Sequence, residues 1–257
     1  MPPRSPWPSA EVVQEGPIVA FDELDSTNAE ARRRAEAGEI GPLWITAARQ
    51  SAGRGRRGRA WQTGKGNLAA TYLFATPKLP AEAAQVSFVA ALAVAELAGA
   101  FVPSSLVSLK WPNDTLIDGR KAAGILVESG QRSNGALWVA VGVGVNLALP
   151  PDVAERPATA FCEHMRAPPP TPLEALAILA PALARWRDLW QRAGFGPVAE
   201  AWTARAHGLG EPCTARLASE TIEGVAEGLD ADGALRLRTA GGLVRRITAG
   251  DVFFGGA

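Results

Sequence analysis

The sequence predicts an α+β fold in which a largely antiparallel sheet carries helices and is followed by a small β barrel. Across residues 107–147, short apolar runs alternate with turn dipeptides, which is the pattern of β-hairpins. Apolar residues recur at helical spacing on both sides of this region. From Gly210 onward, short runs rich in β-branched residues are separated by glycine-containing turns, a pattern that favours a barrel of about five strands.

The N-terminal half alternates strands with helices. Residues 1–17 are interpreted as an extended arm, because the first twenty residues carry five prolines and no periodicity. Ser26 or Thr27 can cap a helix that ends at Gly38, since both residue types accept hydrogen bonds from a first helical turn. The predicted elements are a strand at 18–21, a helix at 28–37, strands at 43–47 and 67–74, and a buried helix at 82–99.

The second half predicts hairpins, a long helix and then the barrel. Strands are expected at 115–117, 122–128 and 137–147, joined by the turns Asp118-Gly119 and Asn134-Gly135. Apolar residues from Leu173 to Trp190 follow helical spacing, but Pro181 must kink that helix or begin a second one. The pattern changes near residues 208–212, so we expect one domain over 18–208 and another over 209–257.

Composition argues against several function classes. The 257 residues include 26 basic and 26 acidic side chains, so an anion site must be a local cluster, and no global charge favours nucleic acid or a membrane. The two cysteines are too few for a disulfide framework, which favours the cytoplasm. The most apolar stretch, 86–100, is too short to span a membrane. The two histidines, His164 and His207, form no HExxH motif, and no Gly-x-Ser-x-Gly elbow occurs, which argues against a zinc or serine hydrolase.

Positive charge is concentrated in one segment, residues 53–61, which we call the arginine loop. It contains Arg54, Arg56, Arg57 and Arg59. Its glycines match the spacing of a dinucleotide-binding fingerprint, but the loop leads into a strand and no acidic residue occurs between positions 60 and 81. A solvated charged loop and an RNA-binding patch are alternatives. Glycines that let backbone N–H groups approach a ligand, beside guanidinium groups that grip carboxylate or phosphate, favour a clamp for a small polyanion.

Two further segments carry groups suited to phosphate chemistry. Lys110, Asn113 and Asp114 lie within five residues at a predicted strand end, where they could neutralise phosphate and accept a proton. The alternative is an ordinary strand end with a turn proline. Lys121 opens the next strand, where a simple edge charge is the competing interpretation. Two glycines then interrupt an apolar strand before Asn146, which usually marks a bulge or the close approach of a ligand or of another backbone segment.

Four segments occur in one order: Gly-Arg-Gly-Arg-Arg-Gly-Arg-x-Trp at 53–61, Lys-Trp-Pro-Asn-Asp at 110–114, Lys-x-x-Gly-Ile-Leu-Val-Glu at 121–128 and Gly-x-Gly-x-Asn at 142–146. Together they closely resemble the biotin protein ligases (biotin–acetyl-CoA-carboxylase ligases), and the resemblance extends from residue 25 to residue 254. It implies a class II synthetase-like catalytic domain with a mixed, largely antiparallel sheet and helices, plus a small C-terminal SH3-like β-barrel. It also implies that ATP and Mg²⁺ activate biotin to biotinyl-5′-AMP, from which biotin passes to a lysine of a biotin carboxyl carrier domain.

The resemblance also implies roles for individual residues. The implied biotin-binding residues are Ser26, Thr27, Asn28, Gln50, Gly53, Arg54, Gly55, Arg56, Lys121, Gly124 and Gly142. The implied nucleotide-binding residues are Arg54, Arg56, Arg59, Trp61, Lys110, Asn113 and Asn146. Lys121, Asp114 and Arg56 are the implied catalytic residues: Lys121 stabilises charge during adenylation, Asp114 receives or orients the proton of the acceptor lysine, and Arg56 holds the carboxylate and the α-phosphate. The protein ligands of magnesium stay unassigned.

Departures from the family pattern set further expectations. Members that repress transcription carry an N-terminal winged helix, and the residues before Ile18 are too few for one, so we expect no nucleic-acid partner. Residues 156–162 match only loosely and receive no role. We expect no membrane partner, and a homodimer is compatible with the resemblance.

Two other functions compete with this one. A lipoate or octanoate ligase or transferase shares the catalytic fold, and the absence of a histidine before Glu163 argues against it. An RNA-binding protein would be expected to interleave stacking aromatic residues with its arginines or to be basic overall, and the sequence shows neither feature.

Overall fold

The computed structural model describes residues 16–131, 136–151 and 157–255. Within these ranges a seven-stranded sheet and a five-stranded sheet form the framework. The predicted arm up to residue 15, the predicted Asn134-Gly135 turn and Arg156 lie outside the described residues. The mixed α+β architecture confirms the predicted fold class.

The larger sheet has the strand order β1-β2-β3-β7-β6-β5-β4. Only β1 and β2 pair in parallel, and every other neighbouring pair is antiparallel. At the predicted Asp118-Gly119 turn both residues have positive φ, 51° and 70°, as a tight two-residue hairpin turn requires. The strands are β1 (Ile18–Leu24), β2 (Leu43–Gln50), β3 (Leu68–Thr76), β4 (Val107–Lys110), β5 (Asp114–Ile117), β6 (Arg120–Gln131) and β7 (Leu137–Val145).

The helices cover both faces of this sheet. One face, which we call the back face, packs against the two long apolar helices α3 and α4, and α1 packs on the opposite, front face. Ser26 is the residue that caps α1, since its hydroxyl accepts a hydrogen bond from the backbone N–H of Ala29. The helices are α1 (Thr27–Glu36), α2 (Pro80–Ala83), α3 (Val86–Gly99), α4 (Pro172–Ala193) and α5 (Gly196–Thr203).

One helix prediction needs correction, and one of two alternatives for another is excluded. The single helix expected over 82–99 is divided into the short α2 and the long α3. Pro181 lies inside α4 and does not begin a second helix. Among the described residues, the segment 80–99 is the one stretch that is long and apolar enough to cross a membrane by length and composition, with a mean hydropathy of 1.5, but 72% of it is buried. It forms the core beneath the back face, because helices apolar on nearly every side need burial.

Strand β7 shows how the two faces of the sheet differ. Side chains alternate between faces along a strand, and the valines at odd positions 139–145 all belong to the back-face core. On the front face, Trp138 and Ala140 pack against α1. Gly142 and Gly144 follow them on that face, so the side chains shrink toward the end of the strand. The front face is therefore open there, and this opening becomes the cavity described below.

The C-terminal unit is a five-stranded antiparallel sheet of order β11-β10-β9-β8-β12. The number of strands matches the prediction for the region after Gly210. The unit is joined to the larger sheet by a hydrogen bond from the Trp111 indole Nε1 to the Gly233 carbonyl, 3.0 Å long. Its strands are β8 (Pro212–Arg216), β9 (Thr221–Leu229), β10 (Leu235–Arg238), β11 (Val244–Ile247) and β12 (Asp251–Phe254).

Candidate active site

A cavity of about 390 Å³ lies on the front face, between the sheet, the arginine loop and the start of β12. Two of the predicted site residues, Gly53 and Lys110, are not on its wall. The predicted residues that line it are Ser26, Thr27, Asn28, Gln50, Arg54, Gly55, Arg56, Arg59, Trp61, Asn113, Asp114, Lys121, Gly124, Gly142 and Asn146. Residues from distant parts of the chain thus share one chamber.

Part of the cavity wall is polar: Thr27, Asn28 and Gln50 line it, and the fully buried Thr71 lies behind them. The Gln50 Oε1 atom accepts hydrogen bonds from the Thr27 backbone N–H and hydroxyl at 2.9 and 3.2 Å. The Thr71 hydroxyl donates to Asn28 Oδ1 at 2.7 Å, and the Asn28 amide nitrogen donates to the Glu128 carboxylate at 2.8 Å. Because these groups hold one another in place, the wall is preorganised for a ligand that both donates and accepts hydrogen bonds.

The glycines near the cavity make room for side chains of the protein itself. A Cβ atom on Gly142 would lie 2.3 Å from Asn28 Oδ1, and one on Gly144 would lie 2.2 Å from Trp61 Cε2. At Gly53, an added Cβ would lie 2.4 Å from the Trp61 carbonyl oxygen. Glycine at these positions therefore lets Asn28 and Trp61 lie directly against the strand and the loop. From the sequence alone, this reason for glycine could not be distinguished from the close approach of a ligand.

The arginine loop closes on itself through backbone contacts. Arg54 and Ala60 form an isolated antiparallel bridge, and the Gly55 N–H donates to the Arg59 carbonyl at 2.7 Å. At the tip, Arg57 adopts a positive φ of 58°, a conformation that is uncommon for a residue with a side chain. The loop therefore presents its guanidinium groups from a compact turn.

Arg56 is a partly buried cation of the loop. Its Nη1 atom donates to Asn113 Oδ1 at 3.1 Å, and its Nη2 atom donates to the Gly250 carbonyl at 3.2 Å. Burial lowers the pKa of the Arg56 guanidinium, and the neighbouring carboxylates of Asp251 and Asp114 oppose that shift. Arginine keeps its proton under such a shift, so Arg56 brings a partly desolvated positive charge to the cavity.

Asp251 is a cavity residue that the sequence analysis missed. Its carboxylate accepts hydrogen bonds from Arg57 Nη1 at 3.1 Å and from Arg59 Nη2 at 2.8 Å. It lies 192 positions from Arg59 in the chain, and no local motif marks it. A chemical argument could have pointed to an acidic residue of this kind, because a cluster of arginines in a protein of zero net charge favours a nearby carboxylate.

Lys121 reaches the cavity because of a β-bulge. The register between β5 and β6 shifts between Thr115 and Leu116, so Ala122 is an extra residue in β6. A bulge redirects side chains, and Lys121 here shares the front face with Gly124 although three positions separate them. Its Nζ atom lies 2.6 Å from Asp114 Oδ1 and 5.7 Å from the Trp61 ring centroid. Two of the three implied catalytic residues therefore form an ion pair.

Residues 157–160, which received no role from the sequence, cover the far end of the cavity. The Lys121 backbone N–H donates to the Pro157 carbonyl, and the Thr159 N–H donates to the Lys121 carbonyl, each at 2.9 Å. The buried Asn146 amide nitrogen donates to the Thr159 carbonyl at 3.0 Å. Ala158 lies on the cavity wall. This cover thus links Lys121 to Asn146.

Lys110 lies outside the cavity wall, at the contact with the C-terminal unit. Its Nζ atom is 5.7 Å from the ring centroid of Phe253. Burial and the nearby charge of Lys110 lower the pKa of His207. This placement does not bring Lys110 together with the other residues implied for the nucleotide.

Comparison with known proteins agrees with this geometry. Residues 21–146 match the Biotin/lipoate A/B protein ligase family, and residues 208–255 match the Biotin protein ligase C terminal domain. The chain is 46% identical over 239 residues to the Biotin--[acetyl-CoA-carboxylase] ligase of Paracoccus denitrificans, covering 90% of this chain and 98% of that protein. This chain belongs to the biotin protein ligase family.

Other members of the family extend the comparison. A Biotin--[acetyl-CoA-carboxylase] ligase of Mycobacterium tuberculosis is 33% identical over 236 residues, covering 88% of this chain and 85% of that relative. The structure of the biotin protein ligase from Aquifex aeolicus in complex with biotin and ATP superposes with a TM-score of 0.76 at 25% identity, covering 93% of this ligase-family chain and 99% of that one. The resemblance inferred from the four motifs is thereby confirmed at the level of family and enzyme class.

Proposed function

We propose that this protein uses ATP to convert biotin to biotinyl-5′-AMP and then transfers biotin to a lysine of a biotin carboxyl carrier domain, in the cytoplasm. The observation that carries the proposal is the cavity itself, which joins a buried polar wall to a cluster of cations. In support, the Aquifex relative is described with biotin and ATP. We also propose the division into a catalytic domain over 18–208 and an SH3-like domain over 209–257.

The polar wall suits the ureido ring of biotin. A urea presents two N–H donors and one carbonyl acceptor, and Thr27, Asn28 and Gln50 on the wall carry hydroxyl and amide groups of both kinds. A lipoyl dithiolane ring has no N–H or carbonyl group, so it cannot form these hydrogen bonds with the wall. The wall therefore favours biotin over lipoate.

The cations serve the first half-reaction, in which the biotin carboxylate attacks the α-phosphate of ATP and pyrophosphate leaves. Two anions must approach each other, and fixed positive charges lower that barrier because they are oriented before the reaction begins. Arg54, Arg56 and Lys121 line the chamber from two sides. We assign Arg56 to the carboxylate and the α-phosphate, and Lys121 to the charge that develops between them.

The donor set fits a magnesium ion that arrives with the nucleotide. Among residues 16–131, 136–151 and 157–255, no three His, Cys, Asp or Glu side chains cluster as a metal site. Mg²⁺ takes oxygen ligands, usually keeps several waters and is bound largely through substrate phosphates rather than by an all-protein cage. The residue we assign to this ion is Asn146, and the chemistry the ion supplies when bound is neutralisation of the triphosphate charge.

Asp114 is assigned to the second half-reaction. Its buried carboxylate is paired with Lys121 at 2.6 Å in this structure. When Lys121 turns toward the substrate phosphate, the carboxylate becomes available to orient the incoming lysine amine and to accept its proton. The ion pair thus holds a cation for the first step next to a buried base for the second.

The direct test is to incubate the protein with ATP, Mg²⁺ and either biotin or lipoate, and to identify the acyl-adenylate by mass spectrometry. We expect biotinyl-5′-AMP and no lipoyl adenylate. Formation of lipoyl adenylate without biotinyl-5′-AMP would indicate that the protein is a lipoate ligase. No adenylate with either acid would overturn the proposed function.

A further inference from the structure

The arginine loop is held in place by one dipeptide of the C-terminal unit. Asp251 accepts hydrogen bonds from Arg57 and Arg59, and the carbonyl of the preceding Gly250 accepts one from Arg56 Nη2 at 3.2 Å. Three of the four loop arginines therefore end on two adjacent residues at the start of β12. The fourth, Arg54, shows no such contact with this dipeptide.

The dipeptide is shaped for this contact. The Asp251 side chain is only 14% exposed, whereas the side chains of Arg57 and Arg59 are 38% and 35% exposed. A Cβ atom on Gly250 would lie 2.8 Å from Leu217 Cδ2 and 2.9 Å from the Arg216 carbonyl oxygen. Glycine is thus required for the backbone to bring its carbonyl group close to Arg56.

The charge of Asp251 also offsets repulsion inside the loop. Arg56, Arg57 and Arg59 lie within four residues, and like charges at such spacing repel one another. Arg57 additionally holds a positive φ of 58°, which costs conformational energy. A single carboxylate that bridges two of the three guanidinium groups therefore favours the compact loop over an open one.

A closed loop matters because the intermediate is reactive. In biotinyl-5′-AMP the acyl carbon is bonded to a phosphate oxygen. A neutral lysine amine attacks that carbon, the C–O bond breaks, AMP leaves with the electron pair, and the amine loses a proton as the amide forms. An intermediate that escapes into solution undergoes the same reaction with any exposed lysine.

We propose that Asp251 is a positioning residue that determines acceptor specificity: by bridging Arg57 and Arg59 it keeps the arginine loop closed and retains the adenylate until a carrier lysine enters. This inference rests on the proposed function. It assigns to the C-terminal unit a role in retaining the intermediate.

The test compares Asp251→Asn with the parental protein and with Asp230→Asn. Asp230 is a matched control, because it pairs with Arg236 and Arg246 within the C-terminal unit and does not contact the loop. Each protein is incubated with biotin, ATP, Mg²⁺, a carrier domain and albumin. Asp251→Asn weakens two charge-assisted hydrogen bonds, so we expect the ratio of albumin labelling to carrier labelling to rise about tenfold or more in this variant and to stay at the parental value in Asp230→Asn. Asp251→Glu keeps the charge, so we expect it to bring the ratio part of the way back to the parental value.

Tryptic cleavage, mapped by mass spectrometry, reports on the loop without reference to activity. We expect Asp251→Asn to be cut after Arg57 and Arg59 faster than the parent, and Asp230→Asn to match the parent. A folded Asp251→Asn variant with parental cleavage and parental labelling ratio would overturn the inference and leave the proposed function intact. If the parental protein labels no carrier domain, the proposed function fails, and the inference fails with it.

Discussion

Replacing Lys121 by methionine separates its role in the reaction from its role in the fold. The substitution keeps an unbranched side chain that is one atom shorter and removes its charge. In the structure, Nζ lies 2.6 Å from the buried Asp114 carboxylate and faces the cavity beside Trp61. The variant therefore removes one fixed cation from the chamber and leaves Asp114 without its ion-pair partner.

The two consequences differ in size. Loss of one preorganised group that stabilises transition-state charge costs about 2.7–4 kcal/mol, which corresponds to a rate decrease of about 10²–10³. Breaking a fully buried ion pair costs more stability than breaking an exposed one, but Lys121 is 29% exposed, so solvent screening reduces the loss in stability to about 1–2 kcal/mol. We expect a folded protein whose adenylation is slow and whose biotin affinity falls much less.

The measurements are single-turnover pyrophosphate release, biotin binding by calorimetry, and the free energy of unfolding in urea. Lys78→Met is the matched control, because Lys78 also pairs with a carboxylate, that of Glu82 at 3.1 Å, and also lies over a tryptophan ring, but far from the cavity. Adenylate formation by Lys121→Met at the parental rate would return Lys121 to the role of a strand-edge charge. A loss of biotin affinity with a parental rate at saturating biotin would show that Lys121 contributes only to binding and not to the adenylation step.

Three further substitutions test other parts of the account. Arg56→Gly removes the hydrogen bonds to Asn113 and Gly250, so we expect adenylate retention to fall about ten- to a hundredfold while adenylation persists. An anti-biotin blot should then show labelled albumin. Labelling confined to the carrier domain would show that Arg56 does not retain the adenylate. Gly142→Ala places a Cβ atom 2.3 Å from Asn28 Oδ1 and should weaken biotin binding, measured by calorimetry, whereas Gly99→Ala, with no atom within 4 Å, should not. Burial raises the pKa of Glu96 above its usual value, so Glu96 contributes stability below that usual value and loses it as the pH rises through its folded pKa. Relative to the parent, Glu96→Gln should therefore gain unfolding free energy in urea as the pH rises above the usual pKa of a glutamate, and a constant or falling difference would contradict the assignment.

The sequence was a good guide where the information is local. Periodicity and turn dipeptides predicted the hairpins, the helix after Ser26 and the five C-terminal strands, because each depends on neighbouring residues. The four motifs predicted the family, and the structure brings the predicted site residues to one cavity except for Gly53 and Lys110. The individual roles of these residues stay predictions.

The features that the sequence did not predict depend on contacts between distant segments. Asp251 meets the arginine loop only through the tertiary fold. The bulge at Ala122 that turns Lys121 toward the cavity leaves no mark in the strand pattern, which reads as an ordinary run of small and apolar residues. The division between α2 and α3 was missed because helical spacing continues through both.

The most direct test of the central claim is transfer to a carrier domain in the presence of biotin, ATP and Mg²⁺, followed by intact-mass and peptide analysis of the carrier. The account predicts that one biotinyl group becomes attached to a single lysine, that omission of ATP abolishes the product, and that lipoate gives no modification. Two results would contradict the account. One is modification of the carrier by lipoate but not by biotin. The other is a protein that forms no acyl-adenylate and transfers nothing to the carrier.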